Sequence, residues 1–160
     1  MPRKRLPLSP EEQQDLDALL NDLIDTTVLH YGTAPRQAVR YDKREAMYDG
    51  SGIVYLLQMF EEGELVNNRI GAYMVLPTAE DSVGFHTHGD RNEQEVYVVM
   101  HGEGEYLEKD DADARPRSYP IKKGTISTVR GRAYHAVRNT GAEPLVVFVI
   151  TTNEPQDAKN

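Results

Sequence analysis

From residue 53 to residue 151 the sequence is a succession of short β-prone runs, broken by turn signals at roughly eight- to twelve-residue spacing with no helical periodicity between them. That pattern predicts an all-β sandwich or barrel. Residues 53–60 form a continuous β-prone run, as expected of a strand covered on both faces, and Glu61-Glu62-Gly63-Glu64 turns them toward a returning strand at 70–76. Further runs fall at 95–100, 105–108, 118–121, 125–129, around His135, and at 145–151, the most apolar of all. His101, beside Gly102, reads as a turn residue, and 109–116, with Asp110, Asp111 and Asp113, as a solvated loop tip.

Ahead of these strands Ser9-Pro10-Glu11-Glu12 has the form of a helix start, with Ser9 as N-cap, Pro10 at the first position and Glu12 closing a capping box. Leu16, Leu19, Leu20, Leu23 and Ile24 then share one stripe. A helix over 10–25 follows, docking on the barrel wall or on a second subunit. Residues 33–52 are charged and small, with a short strand near Val39 and Tyr41, and Arg40, Lys43 and Arg44 read as a solvated face. With 160 residues the chain makes one domain: an arm and helix over 1–35, a barrel over 36–152 and a polar, frayed tail over 153–160.

Chemistry concentrates in one stretch of this barrel. His86 and His88 are two apart, so on a strand both point to one face, and Glu95 can meet them from the next strand after a polar loop. His135, in a short extended run after a Gly-containing turn, is the candidate fourth ligand. Three imidazoles and a carboxylate suit one divalent transition metal, Fe, Mn, Ni or Zn, and on a six-coordinate ion they leave positions open for a substrate oxygen. Tyr97 shares the face of Glu95, either to donate a hydrogen bond to that oxygen or to line the barrel as a packed aromatic.

His86, His88, Glu95 and Gly102 resemble the first motif of the cupin superfamily, and Gly124, Arg130, His135 and Asn139 resemble its second. The resemblance spans about 53–151 and implies an all-β cupin fold, a jelly-roll-like double-stranded β-helix barrel with an N-terminal helix in front. Arg130 and Arg132 stand where the second motif usually has Pro and Gly, and Glu80 where the first usually has Gly. The six residues between His88 and Glu95, with Asn139-Thr140-Gly141 later, are similar to the cupin-type glucose-6-phosphate isomerases of archaea. That likeness implies a metal acting as Lewis acid on adjacent carbonyl and hydroxyl oxygens of a sugar phosphate, with Glu95 and Tyr97 as the catalytic candidates. It also places Tyr55 against substrate and a phosphate pocket at Ser82-Val83-Gly84, where the family's Lys is missing. Arg130 and Arg132 could supply the phosphate fork or simply be solvated. The alternatives are an Fe(II)- or other metal-dependent cupin oxygenase and a non-catalytic small-ligand-binding cupin.

A net charge of −8 counts against nucleic acid as a partner, and an anionic small-molecule substrate would have to be drawn in by the metal and local cations. There is no Cys, hence no thiolate ligand, and no apolar stretch of the roughly twenty residues a membrane span needs. The basic start Met1-Pro2-Arg3-Lys4-Arg5 is not followed by a signal-peptide core. A cytoplasmic homodimer is the expectation.

Overall fold

The computed structural model describes residues 5–24, 29–31, 34–36, 40–60 and 70–153. In chain order its elements are β1 (Arg5–Leu6), α1 (Pro10–Asn21), β2 (Leu29–Tyr31), β3 (Ala34–Arg36), β4 (Arg40–Glu45), β5 (Ile53–Gln58) and β6 (Gly71–Leu76). There follow β7 (Ser82–Thr87), β8 (Glu93–His101), β9 (Glu103–Lys109), β10 (Arg117–Lys122), β11 (Ile126–Val129), β12 (Tyr134–Asn139) and β13 (Leu145–Asn153). Seven strands form one sheet in the order β1-β4-β5-β6-β13-β8-β11, four form a second in the order β10-β9-β12-β7, and β2 and β3 pair separately. Every pairing is antiparallel. The expected all-β architecture is what forms.

Alternation decides what each strand contributes. Along β8, Glu93, Glu95, Tyr97 and Val99 are buried while the residues between them are partly exposed, so two acids and a phenol point inward from one strand. β5 is covered on both faces, which explains the unbroken apolar run from Ile53 to Leu57. Val54 and Leu56 join Met74, Leu76, Val137 and Val147 in the central core, whereas Tyr55 and Leu57 face the opposite way and meet Leu16 and Leu20 of α1. Leu20 is fully buried in that contact, a gain of about 2 kcal/mol.

The helix is fastened by more than apolar contact. Glu12 accepts the Ser9 amide at 2.7 Å and Ser9 Oγ accepts the Glu12 amide at 3.1 Å, which closes the capping box. The other Glu12 oxygen accepts from Tyr55 at 2.6 Å and from Lys43, and Asp17 accepts from Tyr41 at 2.5 Å. The α-helix ends at Asn21, short of the expected 25, but Leu23 and Ile24 still pack against the same cluster.

Residues 40–45 correct the sequence-based expectation. They form a full strand, not an exposed charged segment: Lys43 is turned onto the helix, and Asp42 and Arg44 are buried. His101 closes β8 and does not belong to the turn; its Nδ1 donates to the Pro144 carbonyl at 2.9 Å. The tail over 154–160 and the strand position at Val39 lie outside the described residues.

The Lys43 ammonium, together with the Ser9 amide and the Tyr55 hydroxyl, holds the Glu12 carboxyl at about 2 against an ordinary 4.5. A depressed carboxyl stabilises the fold above its unfolded value, and that stabilisation disappears as pH falls through the folded value. The protection factors of the α1 amides, corrected for the pH dependence of intrinsic exchange, are therefore expected to fall between about pH 4.5 and pH 2 before global unfolding. Glu12→Ala should produce the same loosening at neutral pH, at a cost of about 1 kcal/mol.

Candidate metal centre

β7 and β12 are neighbours, with His135 opposite His86, and the register shifts just beyond, where Gly84 and Phe85 of β7 face the single Ala136 of β12. This pairing brings His135 Nε2 to 3.0 Å from His86 Nε2. β7 ends at Thr87, and His88 lies just beyond it, capping a short helical turn over Gly89–Arg91 that fills the loop before β8. Its Nε2 is still directed to the same point, 3.2 Å from His135 Nε2. Glu95 Oε2 completes the cluster at 2.9 Å from the Nε2 atoms of His88 and His135 and 3.7 Å from that of His86. All four residues are buried.

The outer ring nitrogens show where the protons are. His86 Nδ1 lies 2.9 Å from the Gly84 carbonyl, which can only accept, so Nδ1 carries the proton and Nε2 presents a lone pair. His88 Nδ1 is 3.1 Å from the Glu93 carboxylate, a partner that likewise takes a proton from the outer side. The Tyr106 hydroxyl, 3.3 Å from His135 Nδ1, can hold the third ring in the same tautomer. Glu95 Oε2 is buried and accepts no hydrogen bond. A buried anion and converging lone pairs without hydrogens between them form a donor set for a cation.

The charges follow the same logic. Burial alone would raise the Glu95 carboxyl; without a cation, only N–H groups turned to it from His135, His86 and His88 hold it well below the carboxylate range, and a cation takes the place of those protons. Burial pushes His135 down to about 4, so its ring is neutral at neutral pH. For His88 burial acts downward, yet the carboxylates of Glu95 and Glu93 prevail and push it up. The cluster as a whole attracts positive charge.

Four of the separations between these atoms lie between 2.9 and 3.2 Å and a fifth is 3.7 Å, so a single ion can lie within reach of all four side chains. His86, His88, Glu95 and His135 can thus hold a metal ion, as the sequence proposed.

Of the other residues expected at the site, only Tyr97 lines the cavity beside it, a narrow space of about 20 Å³ bounded also by Arg44, Met47, Tyr48, Ile70 and Met74. Burial, then the Glu95 charge, push the Tyr97 phenol well above its ordinary value, so it stays a proton donor. Its ring lies 5.0 Å from that of His135. Tyr55 is on the wrong face of β5 for a substrate contact, with its hydroxyl on Glu12. Ser82 pairs with Ser51, accepting its amide at 2.8 Å. Arg130 and Arg132 are exposed in the turn between β11 and β12 and do not border this cavity. Gly84 works through backbone: a Cβ there would fall 1.9 Å from the Tyr48 carbonyl.

Sequence reasoning missed Glu93, Tyr106, Tyr48 and Arg44. Glu93 had a signal, since it shares the inward face of Glu95 two residues on. Tyr48 had none: it stacks on His86 at 4.0 Å from a left-handed backbone, with φ of 53°.

A family model described as Cupin domain matches residues 72–151. The crystal structure of a predicted oxalate decarboxylase from Thermotoga maritima is similar at 25% identity, over 72% of this chain and 94% of that one, with a TM-score of 0.64. The cupin domain of Cnp3 from Schizosaccharomyces pombe shares the fold at 12% identity, over 63% of this chain and 65% of that one, with a TM-score of 0.52. No curated protein matches the chain in sequence.

Two outcomes check the donor set. Glu93→Gln should weaken metal affinity by roughly 10- to 100-fold while the fold persists, measured by competition with a coloured chelator. Gly84→Ala should lower both Tm and metal content, because the Tyr48 carbonyl and the His86 ring must move together; unchanged metal content in a folded variant would contradict the positioning role.

Proposed function

The chain belongs to the cupin family, and from that premise we propose that it is a metal-dependent enzyme of small-molecule metabolism in which His86, His88, Glu95 and His135 hold one divalent transition ion. The observation that carries the reading is the buried Glu95 oxygen facing three imidazole nitrogens, with the proton of His86 committed outward to Gly84. Bound there, such an ion supplies Lewis acidity to substrate oxygens at the positions the protein leaves open. The chain's own residues set the surroundings. Tyr97 offers a phenol proton to a substrate oxygen, Glu93 fixes the His88 ring, and Met47, Tyr48, Ile70 and Met74 exclude water.

Isomerisation of a sugar phosphate is the reaction suggested by the loop length between His88 and Glu95 and by the motif after His135. It needs a phosphate anchor, which Ser82, Arg130 or Arg132 would have to supply from outside the present cavity. A second reading, cleavage of a small carboxylate, is supported by the likeness to a predicted oxalate decarboxylase. Oxygenase chemistry and simple ligand binding are the remaining alternatives. A cytoplasmic homodimer remains part of the proposal.

Metal-loaded protein incubated with fructose 6-phosphate and, separately, with oxalate distinguishes these. Glucose 6-phosphate formation supports the isomerase, carbon dioxide release without oxygen uptake the cleavage enzyme, and oxygen uptake the oxygenase. Inertness of fully loaded protein toward a broad panel of keto and aldo sugars and small carboxylates would contradict an enzymatic role. With whichever substrate is turned over, Tyr97→Phe should lower kcat about tenfold or more at unchanged metal content.

A further inference from the structure

The connection from β4 to β5, residues 46–52, does not turn tightly. Its ends are fixed: Glu45 pairs with Ile53, the Ala46 amide donates to the Gly52 carbonyl at 3.0 Å, and Asp81 holds the Ile53 amide. Between these posts the chain reaches over β7 and lays Met47 and Tyr48 against the metal centre. The Asp49 and Gly50 amides bond back to the Ala46 and Met47 carbonyls at 3.1 Å each, so the tip carries its own turn.

The four donor side chains are only 1–7% exposed, and the narrow space of about 20 Å³ beside them has room for about one water. Part of the wall must move before an ion or a substrate reaches them. Most of it is held: Leu56, Met74, Tyr97 and Val149 are buried in strands paired on both sides. Met47 and Tyr48 are partly exposed, belong to no strand, and stand between the cluster and water.

Their position is also strained. Ala46, Tyr48 and Asp49 have φ of 46°, 53° and 61°, and none of them is Gly. Contacts with β7 offset that strain. The Tyr48 ring lies flat on His86, and the Ser51 amide donates to Ser82 Oγ while the Ser51 carbonyl accepts the Ser82 amide, each at 2.8 Å. Backbone meets backbone here, since a Cβ on Gly50 would fall 2.3 Å from the Ser82 carbonyl oxygen. A segment strained when shut and latched in part at exposed serines is suited to open locally while the sheets stay intact.

We propose that residues 46–51 are a hinged cover of the metal centre, opening as a unit about Glu45 and Gly52 while both sheets stay paired. The proposal rests on the metal-enzyme reading for what the cover admits.

The test is the rate at which diethyl pyrocarbonate modifies His86, His88 and His135 in the metal-free full-length chain, read by peptide mass spectrometry with the partly exposed His101 as internal reference. The reagent needs a bare ring nitrogen in contact with solvent, so the rate reports opening whether or not an ion ever binds. Ala46 is exposed, and changing it alters backbone preference more than packing. Ala46→Gly relieves the strain of the shut position and should slow modification of the three rings about three- to fivefold relative to His101. Ala46→Val, which tolerates a positive φ still less, should speed it by a similar factor. The chain has no Cys, so Ser51→Cys with Ser82→Cys offers one disulfide across a hydroxyl pair 3.1 Å apart. Oxidised, that variant should react roughly tenfold or more slowly than the same protein reduced. Amide exchange of β8 and β13, recorded on the same samples, reports opening of the barrel itself and should not follow these changes. Equal modification rates across the variants and both redox states would overturn the proposal. So would ring protection that rises and falls with that of the β8 and β13 amides, because the rings would then be reached only by unfolding. Mn(II) uptake by the same samples separates the two readings: a cover that opens on a chain taking up no Mn(II) would sink the metal-enzyme reading and leave this one intact.

Discussion

Electrostatic convergence at one buried point governs this structure. Three ring nitrogens and a carboxylate oxygen are brought to within 4.8 Å of one another, away from water. Left alone, that arrangement is unfavourable: like-signed lone pairs face each other and one oxygen of the anion lacks a hydrogen-bond donor. A cation seated there would offset that cost, and the scaffold has to be stiff enough to resist relaxation. The scaffold is the sheet register: His86 and His135 are cross-strand partners, and Glu95 is fixed by the inward alternation of β8.

Around this point the chain accepts conformations that local preference disfavours. Ala46, Tyr48 and Asp49 have positive φ without being glycine, each at a cost on the order of 1 kcal/mol or more. The segment holding them places Tyr48 flat on His86 and Met47 over the cavity, and it is braced from below by Asp81, which accepts the Ile53 and Thr78 amides at 2.6 Å each. Stability comes from elsewhere, chiefly the two-sided burial of β5 between the central core and α1. Strain near a candidate site and regular packing far from it are a common division in enzymes.

How much of this the sequence disclosed depended on the range of the interaction. The strand periodicities, the capping box and the His-x-His, Glu and His positions are local patterns, and each reappears in the fold: β5 and β6 as a hairpin, Ser9 and Glu12 as reciprocal caps, and the four side chains as one cluster. Residues whose role depends on which strands become neighbours were invisible. Arg44 looked solvated because its segment is charged, and only the pairing of β4 with β5 turns it inward. The family likeness placed Tyr55 against substrate, yet its parity sends it to Glu12. Arg130 and Arg132 satisfied a charge argument for phosphate but remain exposed in their turn. Motif spacing picked out the four side chains that cluster, while the rest of the cavity lining was decided by tertiary parity.

Anomalous diffraction from crystals of protein purified without an affinity tag and soaked in Mn(II), recorded at the metal edge, tests the central claim most directly. The expected result is one peak per chain, within about 2.0–2.3 Å of the Nε2 atoms of His86, His88 and His135 and of one Glu95 oxygen. No peak there, with the rings instead turned so that protonated nitrogens bond to Glu95, would contradict it.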